Sequence, residues 1–296
     1  MMNSLVAWVR NQSRHGPPGK RLARFVGRSW AHLTYAVQVE PTWLEVNRHD
    51  VPITDLPAAF AGLRIVQMSD FHLGQHVSPA YLQEAVDLAH HQNPDVIVLT
   101  GDFIHKGFQH VQRMARILGQ LRSPLGVFAV LGNHDFSVRN ALGIRRHPHL
   151  HRAVAGALTQ HGIRVLQNET HVLERGTDRL YLTGVEDLWS RVCDPERAFA
   201  GLIDSVPRIV LAHNPCTVEQ LNGQRCDLML SGHTHGGQIN LPRLGRITLG
   251  PKGRQFAAGF YQHGSSLLYV NKGVGFGFRV RFGVRPEVAV FTLLPR

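Results

Sequence analysis

Five apolar runs in this chain, LRIVQMSD, DVIVLTGD, LGVFAVLGNHD, RIVLAHNP and RCDLMLSGHTH, each deliver Asp, Asn or His where the hydrophobic stretch stops. Short runs rich in Val, Ile and Leu, apolar at consecutive positions, predict strands buried on both faces of a sheet. Helical segments fall among them. SPAYLQEAVDLAHH carries Ser78 as N-cap with Pro79 at the first helical position, and HVQRMARILGQL, AVAGALTQHG and ERAFAGLID read the same way. VEPTWLEV, GIRVLQNE and RLYLTGVED read as further strands. An alternation of this kind predicts an α/β sheet, in which ligands bind beyond the carboxyl ends of the strands. One aspartate or histidine after a strand is an ordinary turn. Five such ends place Asp70, His72, Asp102, Asn133, His134, Asp135, His213, His233 and His235 at equivalent positions, so these residues are expected to converge at one sheet edge.

The converging set contains no cysteine. Imidazoles mixed with hard oxygen donors suit borderline divalent ions such as Mn, Fe, Zn or Co. There are more donors than one catalytic ion with an open position takes, so two ions sharing a bridging carboxylate is the economical reading. In GHTH the two histidines stand two residues apart, and an extended segment would turn both rings to one side, one toward each ion.

Other features bound the setting. With 296 residues, 43% of them hydrophobic and 18% charged, the chain can bury a large core. A formal net charge of +11 predicts attraction to anions without choosing among phosphates, nucleic acid and acidic lipid headgroups. Cys193, Cys216 and Cys226 show no CxxC spacing, which argues against a disulfide framework and for a reducing, cytoplasmic location. MMNSLVAWVR is too short an apolar run for a secretory signal, and no later stretch reaches the roughly 20 apolar residues of a membrane span. Residues 1–36 form a basic tail ahead of one domain over 37–296. Arg10, Arg14, Lys20, Arg21, Arg24 and Arg28 read either as a solvated tail or, with Leu22, Phe25, Val26 and Trp30, as an amphipathic segment peripheral at the inner membrane face on anionic lipid.

DFH at Asp70, GD at Gly101, GNHD at Gly132, His213 in AHNP and GHTH at Gly232, in this order, resemble the calcineurin-like metallophosphoesterases from about Leu63 to the C-terminus. SDFHLG, SGHTHGGQI and GFRVRFGVRPEV are most similar to a bacterial branch of small phosphoesterases that includes membrane-associated members and UDP-diacylglucosamine hydrolases. The resemblance implies a four-layer αββα sandwich of two mixed sheets flanked by helices. It also implies two divalent ions, with Mn foremost: Asp70, His72 and His235 on one, Asn133, His213 and His233 on the other, and Asp102 bridging. The implied activity is hydrolysis of a phosphodiester or diphosphate by in-line attack of a hydroxide shared by the ions, with His134 protonating the leaving oxygen.

One departure stands out. Many relatives carry an aspartate three positions after the bridging one to orient the catalytic histidine, whereas GDFIHKG offers His105, leaving Asp70 or Asp135 to do so. Asp135 otherwise reads as support for its loop. Arg279, Arg281 and Arg285 alternate and are expected on one face of a strand pair, either meeting an anionic headgroup or diphosphate or guarding a solvated edge. HPHLHR reads as an exposed loop or lid, Asn168 as a turn or scaffold residue, and FAAGFYQHG as core or the wall of a lipid-compatible pocket. A lipid pyrophosphatase and a nuclease are the alternative enzymes, and a metal-binding scaffold for anionic lipid or nucleic acid is the alternative outside catalysis. No stable protein partner is indicated.

Overall fold

The computed structural model describes residues 26–27 and 29–296. Strand β1 (Glu45–Ile53) lies at the edge of a six-stranded sheet, and β2 (Arg64–Met68), β3 (Val96–Thr100), β4 (Val127–Val130) and β5 (Arg164–Val165) run parallel through its interior and far side. β6 (Glu169–Arg175), β7 (Asp178–Val185), β8 (Arg208–Ala212) and β9 (Leu228–Ser231) belong to a second six-stranded sheet, completed by β12 (Gly259–His263) and β13 (Ser266–Val270). Between β9 and β12 a small hairpin pairs β10 (Asn240–Leu241) with β11 (Gly245–Arg246). The last strand, β14 (Glu287–Pro295), returns to the first sheet and inserts between β1, to which it is parallel, and β2, to which it is antiparallel. Both sheets are therefore mixed.

Helices α1 (Pro79–His90), α2 (Val111–Leu118) and α3 (Leu150–Gln160) cover the outer face of the first sheet. Ser78 caps α1 through its side chain, which accepts from the Tyr81 amide at 3.2 Å. The apolar runs divide by parity along each strand. Ile97 and Leu99 of β3 meet the helices together with Leu82, Met114 and Leu158, while Val96 and Val98 face Leu182, Leu211 and Leu230 of the second sheet. Burial of both faces is why these strands are written as continuous apolar runs. A third cluster, with Val210, Met229, Phe199, Val218 and Phe256, covers the outside of the second sheet beneath the short helices α4 (Pro195–Ala198) and α5 (Pro251–Gln255). The expected four-layer order holds, with a thin outer layer on this side.

Several local expectations differ from the structure. VEPTWLEV is no strand: Tyr35–Val39 is π-helical and Glu40–Thr42 a 3-10 turn, because Pro41 removes a ladder donor and fits a helical start. Pairing begins at Glu45. ERAFAGLID stays helical for one turn only, since Phe199 leaves the helix to enter the outer core. β6 was not anticipated, because its sequence ETHVLER alternates weakly and sits at a sheet edge. Asn168 is the turn before it: with φ 51° it binds both the Glu186 and Asp194 amides through its carbonyl oxygen. HPHLHR contributes an exposed loop and then the first turn of α3, and Phe256 and Ala257 of FAAGFYQHG are core. Most of the basic tail, residues 1–25 and Arg28, lies outside the described residues. Among the described residues no helix is long and apolar enough to cross a membrane.

Arg281 overturns the expectation of an alternating basic face. Residues 279–285 form an irregular loop, and the Arg281 guanidinium is fully buried, donating to the carbonyls of Lys272, Gly273, Gly275 and Val284. Arg285 lies over the Trp43 ring at 4.1 Å and donates to the Trp43 and Leu44 carbonyls. Arg281 is not placed to meet a ligand, and Arg285 is committed to Trp43, Leu44 and Glu45. Only Arg279 of the three is exposed.

Candidate metal centre

The loops after β2, β3, β4, β8 and β9 meet at the carboxyl edge of the two sheets. Backbone bonds zip the first two together, with the Asp70 amide on the Gly101 carbonyl and the His72 amide on the Asp102 carbonyl, both at 2.9 Å. A glycine precedes each of three candidate ligands because a neighbouring group lies on its α-carbon: the Gly132 backbone and the His213 ring at Gly101, and carboxylates at Gly132 and Gly232. A Cβ on Gly132 would stand 2.2 Å from Asp102 Oδ1, and one on Gly232 would stand 1.8 Å from Ser69 Oγ and 2.3 Å from Asp70 Oδ2. Asp70, His72, Asp102, His233 and His235 all take positive φ, between 45° and 74°, a region costly for residues with a Cβ. The GHTH segment is therefore coiled and not extended: its two histidines diverge because each is left-handed about a right-handed Thr234.

All seven expected ligands come together: six are at most 9% exposed, and His233 is half-buried. Asp70, His72 and His235 offer ligand atoms within 4.8 Å of one another, as do Asp70, Asp102 and His213. His72 Nε2 faces His235 Nε2 at 2.9 Å, and His233 Nδ1 stands 2.9 Å from Asn133 Oδ1 and 3.3 Å from His213 Nε2. His213 Nδ1 sits 2.7 Å from the Thr100 carbonyl and so carries its proton there, which turns the Nε2 lone pair toward Asp102 Oδ2 at 3.3 Å. Lone pairs facing lone pairs and a carboxylate in a buried space need positive charge between them. The donor set thus fits divalent cations.

Without such cations, protons take over part of that role. Burial opposes a charge on His213, yet Asp102 beside it holds its pKa well above the ordinary value. Burial pushes Asp70 up to about 6, helped by Asp102. Asp135 is pushed up to about 8, again by burial and then by Asp102. Burial drives His72 and His235 well below the usual histidine range, and His233 down to about 3. Below pH 6 the unfolded chain protonates these three histidines, and His105 with them, while the fold retains protons on Asp70 and Asp135, so the unfolded state binds more protons than the fold. The depressed histidines make stability fall with acid, so the metal-free protein is expected to lose stability steadily as pH drops from about 6 to about 4. Urea unfolding of the chelator-treated chain across that range checks the slope, and a flat profile would sink the assignment of neutral buried imidazoles.

Asp135 binds no ligand position. Its Oδ1 accepts from the Phe103 and Ile104 amides and its Oδ2 from the Gly132 amide, which ties the GD and GNHD loops together. It is consequently turned away from His134. The His134 backbone amide donates to Asp102 Oδ1, and its Nδ1 donates to the His105 carbonyl at 2.9 Å. A carbonyl on the GDFIHKG loop, and neither Asp70 nor Asp135, orients this ring. The sequence pattern could not expose a backbone acceptor. Trp189, packed edge-on against His233 at 4.4 Å, and Gln238, bonded to Gly277, Phe278 and Val280, also border the site and were not anticipated. Asp187 was missed too, although it follows β7 by the same strand-end rule; it is buried and holds Ser190.

A fold of two mixed sheets with His, Asp and Asn gathered at this edge defines a phosphoesterase class: the chain belongs to the calcineurin-like phosphoesterase family, whose sequence model matches residues 63–237, and it is a hydrolase. It is 35% identical over 265 residues to the uncharacterized metallophosphoesterase YkuE of Bacillus subtilis, covering 88% of each chain. It is also 32% identical to phosphodiesterase YaeI of Escherichia coli and 30% identical to UDP-2,3-diacylglucosamine pyrophosphatase LpxG of Chlamydia trachomatis, covering 88% of this chain and 92% of each relative.

Proposed function

We propose that this chain is a dinuclear metal-dependent phosphoesterase that hydrolyses phosphodiester or diphosphate bonds. The observation that carries the reading is the pair of ligand groups that share Asp70, one of which includes Asp102, with His134 bonded to Asp102 through its backbone amide. Asp70, His72 and His235 would hold one ion, Asn133, His213 and His233 the other, and Asp102 would stand between them. Mn is the foremost candidate, with Fe, Zn and Co compatible with the same donors. Two such ions supply Lewis acidity, acidifying a water and neutralising phosphoryl oxygens.

The chain's own residues do the rest. Asp102 receives the His134 amide, so the bridging position and the acid are set by one side chain. With Nδ1 committed to the His105 carbonyl, His134 presents Nε2 to the site, where its imidazolium form donates a proton to the leaving oxygen. Asp135 holds both loops rigid.

A cleft of about 650 Å³ opens from the cluster, and Trp189, Leu249, Pro251 and Phe278 line it. Such a wall supports a substrate with an apolar substituent, in line with the activity named for LpxG, and with it a peripheral position on anionic lipid at the cytoplasmic face. The test is metal content and turnover together. The Mn-reconstituted chain is expected to bind two ions and to cleave bis-p-nitrophenyl phosphate faster than p-nitrophenyl phosphate, with Asp102→Asn losing both properties. One ion at saturation, or full activity in Asp102→Asn, would refute the dinuclear reading.

A further inference from the structure

A second cavity, of about 540 Å³, adjoins the first, and the two share His134 and Arg139 in their walls. Its other basic lining residues are His105, Lys106, Arg146 and His147, and no carboxylate lines it. Among the described residues, no ion pair ties Lys106, Arg139 or Arg146 to an Asp or Glu. Other cations do have carboxylate partners: Arg175 pairs with Asp95, Arg225 with Asp227 and Lys272 with Glu287. Arg139 is held in place by its bond to the His105 carbonyl, the same atom that orients His134.

We infer that this cavity is a second anion subsite, which takes a phosphate group carried on the leaving side of the scissile phosphorus. The inference rests on the phosphoesterase reading and narrows its substrate class. His134 fixes which side is meant, since the group that protonates the leaving oxygen stands in the wall between cluster and cavity. The same geometry explains how the site works with a carbonyl behind His134 in place of a carboxylate. When a diphosphate is cleaved, water's oxygen bonds to the scissile phosphorus and the bridging P–O bond breaks. The electron pair stays on the departing phosphate, and water's proton is released. That phosphate gains negative charge during departure and needs positive charge more than it needs a proton, and Lys106, Arg139 and Arg146 stand where it leaves. Apolar cleft on one side and cationic cavity on the other select a substrate with opposite characters at its two ends.

The experiment compares bis-p-nitrophenyl phosphate with P1,P2-bis(p-nitrophenyl) diphosphate, which differ by one phosphate in the leaving group, for the Mn-loaded full chain and for Lys106→Ala and Arg146→Ala. Each substitution removes one charge-assisted contact and is expected to lower kcat/KM for the diphosphate roughly tenfold, leaving the monophosphate diester within about twofold. High salt should erode the diphosphate rate selectively. Equal loss on both substrates, or no loss on either, overturns the subsite. If the wild type cleaves neither ester, the phosphoesterase reading itself falls. Equilibrium dialysis of inorganic pyrophosphate against the metal-stripped full chain then decides the cavity: binding abolished by Arg146→Ala supports it, and binding unchanged by both substitutions overturns it.

Discussion

His134→Ala is expected to slow hydrolysis of a diester with an alkyl leaving group by about 10² to 10⁴, the contribution of a positioned general acid, and to slow bis-p-nitrophenyl phosphate far less. The contrast follows from geometry. Nδ1 is committed to the His105 carbonyl, so one nitrogen remains for the substrate, and its service is worth most to an oxygen that departs poorly without a proton. Steady-state kcat across a series of leaving groups gives the answer as a slope. A loss of equal size across the series would mean that His134 stabilises phosphoryl charge and donates no proton. Metal content, measured on the same preparations, should not change, because His134 lies outside the proposed ligand set.

Arg281→Met is expected to cost about 3–5 kcal/mol, the range for removing one partner from a buried charged arrangement. Four carbonyls, those of Lys272, Gly273, Gly275 and Val284, would lose their donor in a place water does not reach. Burial lowers the pKa of Arg281 to about 10, while the nearby carboxylates of Asp70, Glu287 and Glu40 favour its charge from a distance and the backbone carbonyls accept its hydrogen bonds. The loop so fixed lies on the metal centre. The Gly275 amide donates to the Asp70 carbonyl at 2.7 Å, and a Cβ on Gly273 would stand 2.9 Å from that of Asp70. Arg281→Met should therefore weaken divalent-ion affinity as well as lower Tm, while Arg279→Ala, at an exposed position, should change stability by no more than about 0.5 kcal/mol. Arg281→Lys should rescue little, since an ammonium cannot span four carbonyls as the planar guanidinium does. Wild-type Tm and metal affinity in Arg281→Met would refute this account.

The contrast between Arg279 and Arg281 also marks what could be read from the sequence. The convergence of the candidate ligands was legible because strand chemistry and strand ends are local: β2, β3, β4, β8 and β9 are continuous apolar runs, and each ends where a donor begins. What depended on distant backbone was not legible. Arg281 meets carbonyls brought to it by chain folding, His134 is oriented by a carbonyl in place of a side chain, and the coil of GHTH depends on φ values that favour glycine yet fall on histidines. Alternation in FRVRFGVRPE signals a strand only where a partner edge exists, and in this protein the chain runs instead as a loop until Glu287. Helix length failed similarly at ERAFAGLID, where the outer core takes Phe199 out of register.

The placement of β14 has a consequence for how the protein comes into being. A strand near the far end of the sequence stands between β1 and β2, and Asn47 on β1 bonds Glu287 on β14 across 240 positions. Contacts that distant close late, because the intervening chain must first surrender its freedom. On a ribosome β2 emerges long before its neighbour, with one edge bare for most of synthesis. The same segment that completes the sheet follows the Arg281 loop, so the roof over Asp70 and the sheet beneath it arrive together. A nascent chain can assemble the β–α repeats from β2 to β5 early and still hold no finished centre, which leaves cation capture as a closing event of folding.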